Sequence, residues 1–217
     1  MKLEDMVGKV IQGDCLDVVR DIPDKSIDLI LTDPPYGIER FKDIEKETTG
    51  CYAKRGAFKN ASYWNNNKLN KLQIDEIFRI SKNQIIFGGN NFDLPTSEYF
   101  IIWDKKQMMP NFARCEFAWV SVGLKQPAKI YEYSIMKLNA NGRQHPAEKP
   151  IELLEYILRD YSKETDLILD PFAGSGTTGL ACERLNRKYI LIEISESYCS
   201  IARERIELER KQIKLLL

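Results

Sequence analysis

Residues 26–38 read SIDLILTDPPYGI and join an apolar run to an acid, two prolines and a tyrosine. Proline has no backbone N–H and restricts the residue before it to extended geometry. The tetrapeptide Asp33-Pro34-Pro35-Tyr36 is therefore stiff, poor in hydrogen-bond donors and rich in acceptors. It is either a plain proline-rich turn after a strand or the rim of a site for a ligand that carries N–H groups.

A second apolar run, in the stretch 166–185, ends in the same way. This stretch reads DLILDPFAGSGTTGLACERL, and Asp170 and Pro171 close the run before a glycine-rich turn and a predicted helix. The glycines spell GxGxxG at Gly174, Gly176 and Gly179. Glu193 ends the next apolar strand, at about the distance expected of a ribose-binding acid in a dinucleotide site. An NAD-dependent oxidoreductase is therefore one function that this pattern predicts.

The carboxylates favour a different nucleoside cofactor. A pyrophosphate is stabilised by helix N–H groups and repelled by a nearby anion. Asp170 instead suits a ligand with an ammonium group, and Glu193 can accept hydrogen bonds from ribose hydroxyls. S-adenosylmethionine has both features together with a sulfonium charge, so we expect it at this loop. The simpler alternative is a tight strand-to-helix turn without a ligand.

Together the two motifs resemble the β group of DNA amino-methyltransferases, which methylate N6 of adenine or N4 of cytosine. As in that group, DPPY at 33–36 precedes DPFAGSGTT at 170–178. The resemblance extends over nearly the whole chain through GDCLDVV (13–19), FGGNNF (87–92), FIIWDK (100–105) and HPAEKPIELLEYIL (145–158). It implies an α/β, Rossmann-like methyltransferase fold, with a seven-stranded, mostly parallel sheet and one antiparallel strand. The order is circularly permuted, so that the usual first two strands come last.

The apolar patterns predict elements that agree with this fold. Strand-like runs lie at Lys9–Gln12, Ile27–Thr32, Gln84–Phe87, Tyr99–Trp103, Phe117–Val122, Leu167–Leu169 and Tyr189–Ile194. Helical patterns lie at Leu69–Ile80, Ile151–Tyr161, Thr177–Leu185 and Glu196–Leu208. The pair near residues 99–122 lacks a helix between its strands and predicts the antiparallel element at a sheet edge. Residues 1–217 read as a single domain with basic inserts at 37–68 and 123–147, the latter a reduced target-recognition region.

The resemblance gives DPPY its chemistry, because an exocyclic base amine is a poor nucleophile. Asp33 and the carbonyl of Pro34 would accept hydrogen bonds from the two N–H groups and localise the nitrogen lone pair towards the methyl donor. Pro35 stiffens this pair, and Tyr36 offers a ring on which an extruded base can stack, worth about 1–3 kcal/mol. The base must leave the duplex to reach the site. Asp at the first position favours N6 of adenine, with N4 of cytosine as the alternative.

Cofactor contacts also follow from the resemblance. The residues concerned are Asp14, Lys149, Asp170, Pro171, Phe172, Gly174, Ser175, Gly176, Thr177 and Glu193. Asp14 contacts the cofactor adenine or caps the helix that follows it. Lys149 is expected to meet the cofactor carboxylate, unless it is a solvated lysine beside a proline. His145 and Phe87 are expected to be structural or to border the pocket.

Charge is unevenly distributed although the net charge is zero. Residues 37–71 and 104–149 each carry eight Lys or Arg against four Asp or Glu. Basic inserts on an acidic body predict contact with a polyanion, here double-stranded DNA. The candidate contacts are Lys54, Arg55, Lys59, Tyr63, Trp64, Lys68, Lys105, Lys106 and Arg143.

Composition restricts the remaining function classes. The five cysteines lack a CxxC pair and are expected to be reduced thiols, while a single histidine argues against a metal site. The start MKLEDMVGKV has no signal-peptide pattern, and no apolar run is long enough for a membrane helix, so a cytoplasmic location is expected.

Several alternatives stay open at this point. These are an NAD-dependent oxidoreductase, a non-catalytic DNA-binding subunit on a methylase fold, and a methylase of RNA or of protein glutamine. A homodimer and a restriction or specificity partner are also open, as is the target sequence.

Overall fold

The computed structural model describes residues 1–37, 68–140 and 148–216, and these form one eight-stranded sheet. Its strands are β1 Lys9–Gln12, β2 Ile27–Thr32, β3 Ser81–Phe87, β4 Phe100–Asp104, β5 Cys115–Val120, β6 Lys129–Glu132, β7 Leu167–Asp170 and β8 Lys188–Glu193. Their order across the sheet is β1-β8-β7-β2-β3-β5-β4-β6. The late strands β7 and β8 thus lie between β1 and β2, as the permuted order predicts.

One strand, β5, runs against its neighbours. It pairs antiparallel with β3 and β4, whereas the other pairs, including β4 with β6, are parallel. The predicted antiparallel pair is therefore confirmed. The expected count of seven strands is wrong, because β6 forms an eighth strand within the insert 123–147 and occupies the sheet edge. Its side chains alternate between half-buried and exposed, so it lacks the apolar run by which the other strands were found.

Helices cover both faces of the sheet. They are α1 Leu3–Met6, α2 Cys15–Val19, α3 Lys71–Ile80, α4 Ile135–Ala140, α5 Ile151–Tyr161, α6 Thr177–Arg184 and α7 Glu196–Leu216. One core contains apolar side chains of α5, α6 and α7, and the other contains those of α1, α2 and α3. No helix in the described ranges combines the length and hydropathy that a bilayer crossing needs.

Strand β2 shows why the predicted strands read as unbroken apolar runs. Leu29 and Leu31 enter one core, while Ile27 and Ile30 enter the other, and all four are at most 1% exposed. Each such burial contributes about 1.5–3 kcal/mol. A strand covered on both faces has no polar face, which is typical of parallel sheets.

The sheet reverses its winding direction between β2 and β7. From β7 the chain passes through α6 to β8 on one side, whereas from β2 it proceeds to α3 and β3 on the other side. In open α/β sheets, ligands bind outside the carboxyl ends of the strands at such a switch point. Both acid-proline motifs follow the two strands that border it.

The carboxylate of Asp170 connects the carboxyl ends of β2 and β7 through hydrogen bonds. Its Oδ1 accepts hydrogen bonds from Thr32 Oγ1 at 2.7 Å and from the backbone N–H of Phe172 at 3.1 Å. Its Oδ2 accepts from Thr178 Oγ1 of α6 at 2.6 Å. Asp170 is 4% exposed, and burial raises its pKa to about 6 despite these donors.

Thr178→Val is expected to lower the free energy of unfolding by about 1–3 kcal/mol, because a buried carboxylate loses a donor. The folded pKa of Asp170 lies above the unfolded value of 3.8, so ionisation costs stability as pH rises between them. Losing the donor enlarges that cost, and the deficit should be greater near pH 8 than near pH 4 when measured by urea denaturation. Thr165→Val, at an exposed loop position, is the control. Equal deficits at both pH values would contradict this role of Thr178.

Candidate functional site

The predicted residues meet at the carboxyl edge of the central strands. Strands β3, β2, β7 and β8 are parallel neighbours that end at the same side of the sheet. Gly88 and Asp33 follow β3 and β2, and Asp170 and Glu193 are the last residues of β7 and β8. This edge, rather than the opposite one, contains both motifs. A cavity of about 340 Å³ at the other end of the strands is lined by residues such as Asp28, Asn83 and Asp166, and includes none of the predicted ones.

Both carboxylate oxygens of Asp33 have partners. Tyr36 Oη donates to Oδ1, and Lys149 Nζ donates to Oδ2. The carbonyl of Pro35 accepts from Leu69 N at 3.4 Å, whereas no donor from the described residues reaches the carbonyl of Pro34. The prolines and the tyrosine hydroxyl thus fix the orientation of Asp33, and the Pro34 oxygen is available as a second acceptor.

The ring of Tyr36 lies against the backbone at the end of β3. Gly88 has φ +64°, and a Cβ atom there would lie 2.3 Å from Tyr36 Cε1. The ring of Phe92 approaches Tyr36 edge-on, with centroids 6.1 Å apart. Glycine is therefore required at position 88 both by the left-handed backbone and by the closeness of the ring.

Lys149 lies in a charged cluster that the sequence did not indicate. Its side chain is 7% exposed, and its Nζ contacts Asp33 and lies 3.1 Å from Glu116 Oε2 on β5. The ammonium also lies 5.0 Å from the ring centroid of Phe87. The predicted contact of Lys149 with a cofactor carboxylate stays a prediction. Its partners among the described residues include the carboxylates of Asp33 and Glu116.

The cluster changes the pKa values of its members. Burial raises the pKa of Asp33, and Lys149 only partly offsets this effect. Burial would also raise the pKa of Glu116, but Lys149 and Lys105 outweigh it and lower that pKa to about 2. Burial lowers the pKa of Lys149, but the carboxylates of Asp33 and Glu116 raise it above its usual value. The cluster thus favours the ionised forms of Lys149 and Glu116, whereas burial favours the protonated form of Asp33.

Glu193 supports the glycine loop directly. Its Oε2 accepts from Gly174 N and its Oε1 from Ser195 N, both at 2.8 Å. Burial raises the pKa of Glu193, and these backbone donors oppose the shift. Gly176 has φ +81°, and a Cβ there would lie 2.7 Å from Ala202 Cβ, so α7 packs directly on the loop.

Other predicted cofactor residues occupy structural positions around this loop. Pro171 and Thr177 are buried, and Phe172 is half-buried against the core. The hydroxyl of Ser175 is buried and accepts from Arg205 Nη1 of α7 at 2.8 Å. The side chain of Asp14 accepts from Leu16 N at 2.9 Å, which is the helix-capping arrangement considered from the sequence.

The predicted DNA contacts are only partly described. Lys54, Arg55, Lys59, Tyr63, Trp64 and Arg143 lie outside the described residues, as do Cys51 and His145. Lys68 is exposed. Lys106 lies 2.6 Å from Glu132 and is 45% exposed. Lys105 is only 14% exposed and lies 2.6 Å from Glu116 Oε1, so its ammonium belongs to the charged cluster.

Two functional features were missed because they depend on contacts between distant residues. Glu116 contacts Lys149, which lies 33 positions later in the sequence. Arg205 donates to Ser175 and forms a 2.6 Å ion pair with Glu148. The only sequence signal was the position of Glu116 immediately before the predicted strand Phe117–Val122.

Comparison with known proteins identifies the family to which this site belongs. A family model described as DNA methylase, for N6 and N4 methyltransferases, matches residues 46–204. The chain belongs to the N6/N4 family of DNA methylases. Like the family, it is a DNA methyltransferase, and its cofactor is S-adenosylmethionine.

Relatives of this methylase agree over most of its length. The type II methyltransferase M2.MboI of Moraxella bovis is 30% identical, over 93% of this chain and 88% of the relative. Among solved structures, TTHA0409 of Thermus thermophilus is 24% identical, with a TM-score of 0.58 over 93% of this chain and 95% of that one. The cytosine-N4-specific PvuII DNA methyltransferase is 18% identical, with a TM-score of 0.57 over 94% and 91% of the chains. These two structures confirm the methyltransferase fold.

Gly88→Ala is expected to reduce DNA methylation at least about tenfold, because displacing Tyr36 by even about 1 Å disturbs the acceptor geometry at Asp33. Gly8→Ala is a matched control: φ there is +75°, but the nearest atom to an added Cβ is Arg210 Nη2 at an ordinary 3.5 Å. Both variants acquire the strain of a left-handed alanine, about 1–2 kcal/mol. A methylation rate equally reduced in both variants would attribute the effect to stability alone.

Proposed function

We propose that this methylase transfers a methyl group to the N6 amine of adenine in double-stranded DNA, after the base has left the duplex. The observation that carries the proposal is the neighbouring position of β2 and β7, with Thr32 bonded to Asp170 at 2.7 Å. This neighbouring position brings Asp33 and the glycine loop to the same edge of the sheet. A single methyl transfer between a base and a cofactor requires that closeness.

The acceptors near Asp33 suit an amine with two N–H bonds. Asp33 would accept from one N–H and the carbonyl of Pro34 from the other, which favours a tetrahedral nitrogen with a directed lone pair. Because the prolines and Tyr36 hold these oxygens in place, little reorganisation is needed at the moment of reaction. After transfer, the surplus proton on nitrogen would pass to Asp33 or to water.

The glycine loop fits S-adenosylmethionine better than a dinucleotide. The N–H of Gly174, which a dinucleotide site would offer to phosphate, donates to Glu193. With Asp33 and Asp170 nearby, the edge repels a pyrophosphate and attracts a cation. Bound there, S-adenosylmethionine supplies an electrophilic methyl group on a sulfonium. Glu193 would accept from the ribose hydroxyls with its remaining lone pairs, and the backbone of the loop would contact the amino-acid part.

The choice of adenine is supported by the first residue of the tetrapeptide. Aspartate at position 33 favours adenine among members of this family, and the same acceptor pair would also serve N4 of cytosine. The fold is shared with a cytosine-N4-specific enzyme, PvuII methyltransferase. Analysis of the methylated base distinguishes the two products.

The hairpin between β4 and β5 gives DNA a surface beside the site. Besides Lys105, whose ammonium belongs to the charged cluster, residues 105–114 include Lys106 and Arg114 and no Asp or Glu. Its tip presents Met108, Met109 and Phe112, which are 88%, 56% and 54% exposed. Apolar side chains beside basic ones are the kind that proteins insert between base steps. This hairpin would therefore contact the duplex from which the target base has been extruded.

Asp33→Ala is expected to abolish methylation while cofactor affinity stays within about threefold, because the residue acts on the base amine. Unmethylated DNA would be incubated with labelled S-adenosylmethionine, digested to nucleosides and analysed by mass spectrometry. The wild-type product should be 6-methyladenine. Detection of 4-methylcytosine would replace the base assignment, and wild-type activity retained by the variant would reject the role of Asp33. Asp166→Ala, at the opposite end of the strands, is the control.

Glu193→Ala is expected to weaken S-adenosylmethionine binding by about 10- to 100-fold in calorimetric titration, because the ribose loses its acceptor and the loop loses the bond to Gly174. Asp170→Ala should also weaken binding, with a larger loss of stability. Glu196→Ala removes an exposed carboxylate three residues away and should leave affinity unchanged. Unchanged affinity in both Glu193→Ala and Asp170→Ala would place the cofactor elsewhere.

A further inference from the structure

Four charged side chains from separate segments form a continuous chain behind the acceptor site. Lys149 contacts Asp33, Glu116 Oε2 lies 3.1 Å from Lys149 Nζ, and Glu116 Oε1 lies 2.6 Å from Lys105 Nζ. Their side chains are 7–26% exposed, so water screens these charges only partly. A change of charge at Lys105 or Glu116 should therefore change the electrostatic potential at Asp33.

Strand β5 places Glu116 in this chain. Because β5 is antiparallel, its first residues lie at the edge where β3 and β4 end, and Glu116 pairs with Trp103 of β4. Its Oε2 atom is buried and receives no hydrogen bond of good geometry within the described part of the protein. The carboxylate of Glu116 lies 3.1 Å from Lys149 Nζ and stabilises that ammonium by its charge.

The sum of charges shows what Glu116 does for Asp33. Alone, Asp33 and Lys149 would form a neutral pair, and the ammonium would withdraw electron density from the carboxylate that must accept from the amine. With Glu116 present, the three groups carry a net charge of −1, and Lys149 is shared between two carboxylates. Lys105 compensates the remaining charge from the outer end.

We propose that Glu116 is a positioning residue, which acts through Lys149 to keep Asp33 a strong acceptor for the amine of the target base. The proposal rests on the proposed function, because it gives a role to Glu116 in that same reaction. Glu116 itself does not touch the base. It sets how tightly Lys149 is held by Asp33.

The proposal predicts opposite pH effects for the loss of charge at Glu116 and at Lys105. Within residues 1–37, 68–140 and 148–216, the charged and titratable groups that face Asp33 are Lys149, Glu116, Tyr36 and Asp170. Asp33 must be ionised to accept, so methyl transfer rises with pH through its pKa. Loss of the negative charge of Glu116 lowers the pKa of Asp33. The acid limb of the pH–rate profile, where the rate rises with pH, then moves to lower pH. Loss of Lys105 leaves Glu116 less compensated and moves the limb to higher pH.

The test is the single-turnover rate of methyl transfer at saturating DNA and cofactor, measured from about pH 5 to about pH 9. Glu116→Gln keeps the shape of the side chain and should slow transfer roughly tenfold, less than loss of a direct acid or base. Its acid limb should move to lower pH, and that of Lys105→Met to higher pH. Glu132→Gln, an exposed carboxylate paired with Lys106, is the control and should leave the limb unchanged.

Several results would contradict the proposed role of Glu116. A slower Glu116→Gln enzyme with an unmoved limb would mean that Glu116 is only structural, and an unchanged rate and limb would also overturn the proposal. If Glu116→Gln does not fold, Lys105→Met still tests the sign, and Glu116→Asp should restore the wild-type limb. A purely phosphate-binding Lys105 would change the KM for DNA and leave the limb in place. Absence of methylation by the wild-type enzyme would instead reject the proposed function.

Discussion

The buried carboxylate of Asp170 is the contact on which the two functional motifs depend. It receives Thr32 from β2, Thr178 from α6 and the backbone N–H of Phe172. A carboxylate that is 4% exposed is costly unless its oxygens are hydrogen-bonded, and here three donors meet that demand. These donors come from both sides of the switch point. Satisfying one buried charge therefore fixes the position of the glycine loop relative to the strand that presents Asp33.

The same contact changes the interpretation of Asp170 as a ligand-binding acid. From the sequence, its charge suited a cofactor ammonium; in the structure, its oxygens hold the protein itself. Its three protein donors give Asp170 a structural role, and its contact with the cofactor stays a prediction.

Sequence patterns were sufficient wherever the determinant is local. Strands such as β2 are apolar on both faces, and α5 begins and ends at the predicted residues Ile151 and Tyr161. Strand β6 was not counted among the predicted strands because half of its side chains are exposed. Helix α7 extends past Leu208 on a polar surface without a stop signal. The charged cluster was not predictable, because Lys149 and Asp33 are separated by 116 positions and no periodicity reports such a pair.

Two consecutive residues before α5, Glu148 and Lys149, connect this segment to both motifs. Glu148 pairs with Arg205, which also donates to the carbonyl and hydroxyl of Ser175 in the glycine loop. Its neighbour Lys149 contacts Asp33 instead. The segment thus contacts the glycine loop through Glu148 and Arg205, and Asp33 through Lys149. Because both pairs are charged and largely buried, a displacement of this segment would disturb the two half-sites together. The position of the glycine loop relative to Asp33 is therefore supported by this short segment as well as by the sheet.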